Sequence, residues 1–499
     1  MMYLRAGVFS LGLLLLSRVL GLLRESAQAA AFGSTGMGDA IIVMFTLPDL
    51  LVGMLVSGAL SYVLLPVWAQ QSRSKQAAGQ KKIAYALMVS GLVLGALVWI
   101  FRDAAVLALA PGLSGEIKEF SAASLGWSAA VLPLAMLAAL WVTRLQHERD
   151  FVGMYAGSLI VNLALVFGLL VVANGALPDM PALSLLGACL VIAMLGRLVW
   201  LARRLPVNSQ PVANERSFDL PPARVWLWAA LSSGLLLALP LVARSLASSA
   251  GEGALASFNY AWKLIELPLV LAVHLVASLA FPAITRTVPS TPERQQAVGL
   301  AFLIAWTLAC AAVAVVATFS LPIASLLFGW GRMSAAHLEV IAEWSAVGIW
   351  SLLPQALMAV LLTVLATTGR MHAAVWVYSV GLIVLLLVGL LGSFIGTNVG
   401  ANVMWLLNAV FAGMAVVLMT LERRSINGAF PHLACLAPLL VSVGLVLLKP
   451  LFAGLNVTLA LVCCAVYGLL VTGSAVLASP VLRGLLHEEF NRKSAVIKL

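Results

Sequence analysis

Charge is what this sequence has least of. Only 10% of its 499 residues are Asp, Glu, Lys or Arg, against about 25% in a soluble domain. That scarcity excludes a chain solvated on all sides. Cysteine is nearly as sparse: Cys189, Cys310, Cys435, Cys463 and Cys464 all lie in apolar runs. Their spacing matches neither a metal site nor a disulfide framework, so they read as small buried hydrophobes. Missing too are a Gly-rich phosphate loop, a Ser-His-Asp pattern and the paired acids that hold a metal–nucleotide sugar. Neither an enzyme nor nucleotide-driven transport is expected. No cleavable leader is expected either, because the first apolar run leads straight into charged sequence.

What the chain has in quantity is apolar length. Hydrophobic residues make up 62%, and the mean hydropathy is +1.06. Runs of about 20 apolar residues mark membrane-crossing helices. Fourteen are found, near 5–29, 39–69, 82–101, 121–142, 154–174, 182–202, 224–248, 255–281, 298–320, 341–368, 373–395, 399–421, 432–454 and 456–478. The second and tenth are long for one crossing and predict tilt, or breaks at Pro48 and Pro354.

The basic residues test that count, since Lys and Arg concentrate in cytoplasmic loops. With both termini placed in the cytoplasm, twenty of the 29 Lys and Arg fall on that side. Four (Arg102, Lys118, Arg332, Lys449) fall opposite, and five (Arg18, Arg24, Arg197, Arg244, Lys263) lie within or at the ends of spans. Alternation on that scale supports an even number of crossings. It also accounts for the net charge of +10 without a nucleic-acid partner.

An internal repeat divides the spans. Arg24 precedes Pro48 by the same 24 residues that separate Arg244 from Pro268, both prolines follow a leucine, and Asp39 falls on Asn259. Each half then reaches another proline, Pro66 or Pro282. The expected fold is therefore all-α and polytopic, with about fourteen transmembrane helices. Two pseudo-symmetric six-helix lobes surround a central cavity, and two C-terminal helices are added, as in duplicated transporters. Residues 1–204 form the first lobe, 205–222 a cytoplasmic linker and 223–424 the second lobe. Residues 425–480 carry the two additional helices, and 481–499 a cytoplasmic tail.

Ionisable residues at membrane depth mark function, because each costs roughly 2.5–3.5 kcal/mol to insert. Arg18 and Arg24 are six residues apart, so their directions on a straight helix differ by about 120°. They converge only if the helix bends, and Gly21 between them is the hinge candidate. Guanidinium groups grip phosphate by forked hydrogen bonds, which suits a diphosphate. The alternative for Arg24 is snorkelling, or a pair with Glu25. Lys263 has Glu266 three residues on, which is either a local ion pair or a third cationic contact held in place by its acid. Arg244 reads as an interfacial anchor. Asp39 opens the second span as a helix cap or as a gating acid for a cavity arginine. Asp49, directly after Pro48, lies deeper. Asn162 and Asn259 are polar groups at membrane depth, explained by hydrogen bonds between helices. Pro48 and Pro268 are further hinge candidates. His274 reads as a core histidine, and His147, Glu148, Arg149 and Asp150 as a solvated turn.

At these residues the sequence resembles the MurJ (MviN) family of lipid II flippases, within the MATE-like multidrug/oligosaccharidyl-lipid/polysaccharide exporter superfamily. The likeness is clearest in Ser17-Arg18-Val19-Leu20-Gly21-x-x-Arg24, Phe32-Gly33, Gly38-Asp39-Ala40, Leu47-Pro48-x-Leu50-Leu51, Gly58-Ala59 and Pro66. It continues more weakly through Asn162 and Tyr260-Ala261-x-Lys263-Leu264-x-Glu266-x-Pro268. The resemblance implies a multi-pass protein of the bacterial cytoplasmic (inner) membrane. Such a protein moves a polyprenyl-diphosphate-linked saccharide, lipid II first, between leaflets by alternating access. Arg18, Arg24 and Lys263 would hold the diphosphate, with Asp39, Asp49 and Glu266 gating or ion-pairing. Partners implied are the lipid-linked substrate, membrane lipids and the machinery of cell-envelope glycan synthesis. No cofactor is implied beyond a coupling ion or the membrane potential. The chain departs from the family where a basic pair and an acid usually stand, carrying Val52-Gly53 and Ser57, and has Lys263 for an arginine. The alternatives are flipping of another lipid-linked exopolysaccharide unit, cation-coupled antiport through Asp39, Asp49 or Glu266, and a non-transporting role in a polysaccharide assembly complex.

Overall fold

Inside a bilayer a backbone N–H or C=O finds no water, so an apolar chain must bond to itself as helix or closed barrel. The computed structural model of the protein describes residues 2–175, 177–206, 221–274, 276, 284, 291–392, 398–426, 429–452, 454–484 and 487. Among these residues the regular structure is helical, with no strand. The first helices are α1 (Met2–Phe32), α2 (Gly36–Met54), α3 (Leu60–Ala69), α4 (Arg73–Ile100), α5 (Arg102–Leu109), α6 (Gly115–His147), α7 (Phe151–Asn174) and α8 (Asp179–Arg204). After the linker come α9 (Ala223–Ala247), α10 (Ala254–Pro268), α11 (Pro292–Phe328), α12 (Ala335–Gly348), α13 (Leu352–Thr367), α14 (Met371–Gly392), α15 (Val399–Leu421), α16 (His432–Leu447) and α17 (Val457–Ala478).

Counted with α2–α3 and α12–α13 as single crossings and the short α5 set aside, a helix stands at each expected span. Among the described residues, eleven helical stretches are long and apolar enough to cross a membrane. The remaining spans are α1, α10 and the 16-residue α16. Local chemistry starts the helices where polar residues allow: Asp150 caps α7 through Gly153 N–H at 2.9 Å, and Asn456 caps α17 through Leu459 N–H at 2.8 Å. Most of the linker (207–220), most of the tail (488–499) and Pro282 lie outside the described residues.

The break expected at Pro48 is not there. Proline lacks the N–H that would bond the carbonyl four residues back, which is that of Met44. Ser128 of α6 donates its hydroxyl to that carbonyl, and Ser124, one turn earlier, donates to Ala40 O at 3.0 Å. With the orphan satisfied from outside, α2 runs on through Pro48. The irregularity comes later, as a π-helical turn over Leu55–Ala59. There Ser233 of α9 donates to Met54 O at 3.2 Å, and Gly58 leaves no room for a Cβ, which would sit 1.8 Å from Ser233 Oγ. Pro268 is followed directly by a second π turn, Leu269–His274. Near Pro354 the helix tightens into a 3₁₀ turn at Ile349–Ser351, so the proline falls in the first turn of α13, where its missing N–H costs nothing. Gly21 does not bend α1, which is continuous there. A Cβ at that position would stand 4.0 Å from Asn162 Nδ2 of α7, an ordinary contact, so the packing there does not demand glycine.

The chain packs as two units. The first contains Met1–Asn259 with Phe328–His337, and the second Tyr260–Leu327 with Leu338–Leu499. The first unit thus takes in α9 and the start of α10, beyond the expected lobe boundary at residue 204. The π turn explains α9: Ser233, Leu237 and Gly234 close against Met54, Gly53 and Gly58. The first unit's core joins α2, α6, α7 and α8 around Met44, Leu165, Leu186 and Leu201. In the second unit α11, α16 and α17 share a core that includes Cys310, Phe319 and Tyr467. All five cysteines are free thiols.

Candidate functional site

Helix α1 carries Arg24 and Glu25 side by side in a packed interior. The Arg24 side chain is 13% exposed, and its Nη2 donates to Glu25 Oε1 at 2.9 Å and to Asp49 Oδ2 of α2 at 3.4 Å. Its guanidinium lies over the Phe45 ring, 5.5 Å from the centroid. Arg24 Nε is buried and has no acceptor. Glu25 Oε2 accepts from Asn259 Nδ2 of α10 at 3.0 Å. Asn259 Oδ1 in turn accepts from Arg244 Nη1 of α9 at 2.9 Å, and Arg244 Nη2 reaches Thr46 Oγ1 of α2 at 2.6 Å. Two acids and two arginines, linked by an asparagine and a threonine, thus tie four helices of the first unit together. Hydrogen bonds to ionised groups are roughly twice as strong as neutral ones. Removing one partner of a buried pair costs about 3–5 kcal/mol, because the other charge is left without compensation.

Asp39 does something the sequence did not indicate. It stands in the first turn of α2, whose own cap is Thr35. Its carboxylate is wholly buried and accepts from Gly253 N–H and Ala256 N–H, each at 2.7 Å. It therefore caps α10 instead of its own helix, and both oxygens are occupied without any arginine. Glu252 returns the contact by accepting from Gly36 N–H at 3.0 Å. Each helix N-terminus is capped by an acid next to the other. Gly253 adopts φ +79°, and a Cβ there would lie 2.1 Å from Ser34 O, so only glycine permits the approach.

The remaining expected residues fall apart from this cluster. Arg18 is exposed, and because α1 is unbroken it leaves the helix on a different face from Arg24. The neighbouring Ser17 shares a 2.8 Å hydrogen bond with Ser158, which fastens α1 to α7. Asn162 lies half-buried on the same helix pair. In the second unit Lys263 Nζ donates to Glu266 Oε2 at 2.8 Å, the local pair expected from their spacing. His147 stacks edge-on to Trp68 at 5.8 Å, and Asp150 serves as the α7 cap. The His274 side chain lies outside the described residues.

Three expected site residues, Arg24, Asp49 and Asn259, are brought together, and three others join them. Thr46 gave no signal in the sequence, Glu25 was legible only as a neighbour of Arg24, and Arg244 is a network member where an interfacial anchor was expected. The repeat offset carried the missed signal, since it matched Arg244 to Arg24. Arg197 of α8 is also buried, at 8% exposure, with its Nε lacking an acceptor. A surface cavity of about 460 Å³ between α4 and α6 and one of about 110 Å³ between α14 and α15 are lined by apolar residues and Asn402, with none of the site residues. Among the described residues no group of three or more His, Cys, Asp or Glu could hold a metal.

The profile of the family described as "Lipid II flippase MurJ" matches residues 28–480. A protein of Rickettsia prowazekii (strain Madrid E), "Probable lipid II flippase MurJ", is 25% identical over 373 residues, 72% of each chain. "Lipid II flippase MurJ" of Burkholderia cenocepacia is 25% identical over 358 residues, covering 66% of this chain and 67% of its own. Among solved structures, "Lipid II flippase MurJ, inward closed conformation" superposes with TM-score 0.78 at 14% identity, over 96% of this chain and all of that one. An inward-facing multidrug resistance MATE family transporter of the MOP superfamily gives TM-score 0.67 at 13% identity, over 83% and 95%. At such identities the two structures speak for the fold.

Proposed function

This chain belongs to the lipid II flippase MurJ family, and from that premise we propose that it carries a polyprenyl-diphosphate-linked saccharide, lipid II first, from the inner to the outer leaflet of a bacterial cytoplasmic membrane by alternating access. Both termini lie in the cytoplasm, where the positive-inside count puts them. The work is done by binding and release, with no covalent step and no cofactor.

The observation that carries this reading is the state of Arg24. Its Nη2 is divided between two carboxylates while Nε, on the same edge of the guanidinium, has no acceptor. A phosphate would engage that edge as a fork, replacing the exposed Asp49. Lys263 offers a second charge by trading Glu266 for phosphate, whereas Arg18, on another face of the unbent α1, is not part of that grip. Asn259 and the crossed caps at Asp39 and Glu252 tie α10 to α1 and α2. Those ties form in one conformation of the cycle and part in the other. Each net charge moved across the full membrane potential is worth about 2.3 kcal/mol per 100 mV, enough to reset such a carrier.

Val52, Ser57 and Lys263 stand where the family usually has charges or an arginine. They favour, as a second reading, another lipid-linked glycan with the same diphosphate. Depletion of the protein in cells lacking other flippases separates the two. Accumulation of lipid II on the inner leaflet supports the first reading, and accumulation of a different glycan lipid moves the assignment to the second. Uptake driven by a sodium or pH step without any lipid-linked substrate would overturn both.

A further inference from the structure

Four arginines of the first unit lie with the guanidinium over an aromatic ring: Arg24 on Phe45, Arg102 on Trp99, Arg144 on Trp68 and Arg204 on Trp200, at 5.5, 5.2, 5.2 and 5.1 Å from the centroids. Three of them also have a carboxylate, Glu25 at 2.9 Å, Glu148 at 2.7 Å and Asp150 at 3.5 Å. Arg102 has none among the described residues, and even its exposed neighbour Asp103 makes no ion pair with it. The residue is half-buried and follows the end of α4 remote from that helix's Arg73, Lys75, Lys81 and Lys82. It also begins α5, which no side chain caps, and a helix N-terminus favours negative charge. A guanidinium laid on a Trp ring at a helix end, with no acid of its own, is free to donate to an anion.

The same Trp99 is a wall of the 460 Å³ groove between α4 and α6. That groove exists because the two helices meet at residues without bulk. A Cβ at Gly91 would lie 2.5 Å from Pro133 Cα, one at Gly95 2.6 Å from Ala129 O, and one at Gly126 2.5 Å from Trp99 Cζ3. Contact runs along Gly91 and Gly95, Trp99 is seated on Gly126, and Ala96 and Ala130 leave open space beside them. Every lining residue is apolar, and Leu92, Trp99 and Ile100 at its edges are exposed, so in a bilayer the groove opens to lipid. An apolar slot that ends at an unpaired guanidinium matches a molecule with an acyl chain joined to a phosphate. We propose that the groove between α4 and α6 binds one anionic phospholipid, with an acyl chain along Gly95, Ala96 and Ala130 and the phosphate on Arg102. A net negative headgroup compensates Arg102 in full, whereas the phosphate of a zwitterionic lipid already has its own ammonium. The site shares no residue with the Arg24 cluster and does not rest on the flippase reading.

Native mass spectrometry of the delipidated full-length protein tests it, titrated with phosphatidylglycerol or with phosphatidylethanolamine of the same chains and read at the first bound lipid. Wild type binds phosphatidylglycerol about tenfold more tightly, a difference of about 1.4 kcal/mol. Arg102→Gln lowers phosphatidylglycerol to the affinity of phosphatidylethanolamine, Arg102→Lys keeps most of the preference, and Asp103→Asn enlarges it. Ala96→Phe, at an exposed position where the larger ring fills the groove and not the core, weakens both lipids by about tenfold. Bound phosphatidylglycerol raises the Tm of the wild type and not that of Arg102→Gln, because a ligand stabilises only the protein that binds it. An undiminished preference in Arg102→Gln, or unaltered binding of both lipids in Ala96→Phe, overturns the inference. Undecaprenyl diphosphate is the probe for the transported lipid, and in excess it leaves the bound phosphatidylglycerol in place. Displacement that depends on Arg102 would make the groove a substrate site and overturn the assignment. Absence of probe binding beside intact phosphatidylglycerol binding overturns the flippase reading and leaves this site standing.

Discussion

Arg24 and Lys263 are both cations in apolar sequence, yet they are held in opposite ways. Arg24 is almost fully buried and connected, through Glu25, Asn259 and Arg244, to four helices. Lys263 has a partner one turn away on its own helix, and both side chains are about one-third exposed (29% and 35%). An intrahelical pair of that kind adds only about 0.2–0.5 kcal/mol. Arg24 is thus a structural keystone as well as the binding group of the proposed function. Lys263 is a part-exposed charge paired within its own helix.

The contrast is tested most severely at Arg24. Arg24→Ala leaves Glu25 buried beside fewer donors, at about 3–5 kcal/mol, and abolishes both complementation and probe binding. Arg24→Lys keeps the fold but loses the fork, so thermal unfolding stays near wild type while binding weakens. Next comes Asp39→Ala, which removes the acceptor of two buried N–H groups at about 1–3 kcal/mol each; a lowered Tm in detergent reads it, and Asp39→Asn shows roughly half the loss. Lys263→Ala leaves Tm within error and weakens diphosphate binding by about tenfold, or 1.4 kcal/mol. Lys263→Arg binds at least as well as wild type because the fork is supplied. The smallest effect belongs to Ser128→Ala, which strands the Met44 carbonyl and lowers stability by about 0.5–1.5 kcal/mol with binding unchanged. Equal Tm losses at Arg24 and Lys263 would erase the distinction between them.

The architecture is legible in the sequence because apolar length and the asymmetry of Lys and Arg act locally, loop by loop. Arg24 and Asp49 are legible too, since charge at membrane depth is conspicuous wherever it occurs. What stays hidden is pairing at a distance. Pro48 reads as a break because Ser128, which satisfies the carbonyl it orphans, lies 80 residues away in sequence. Asp39 reads as a cap for its own helix because its real partners, Gly253 and Ala256, belong to α10. Gly21 reads as a hinge because glycine is permissive, whereas α1 runs through it unbroken. At Pro48 and Asp39 the residue type announced a need, and only the fold named what met it.

Translocation of fluorescent lipid II in proteoliposomes, wild type against Arg24→Lys, tests the central claim most directly. Both proteins are expected to insert and unfold alike, which a melting curve checks, so the readout isolates the forked contact. The account predicts rapid leaflet exchange for the wild type and a rate reduced at least tenfold for Arg24→Lys. Equal rates for the two proteins, or no exchange by the wild type, would contradict it.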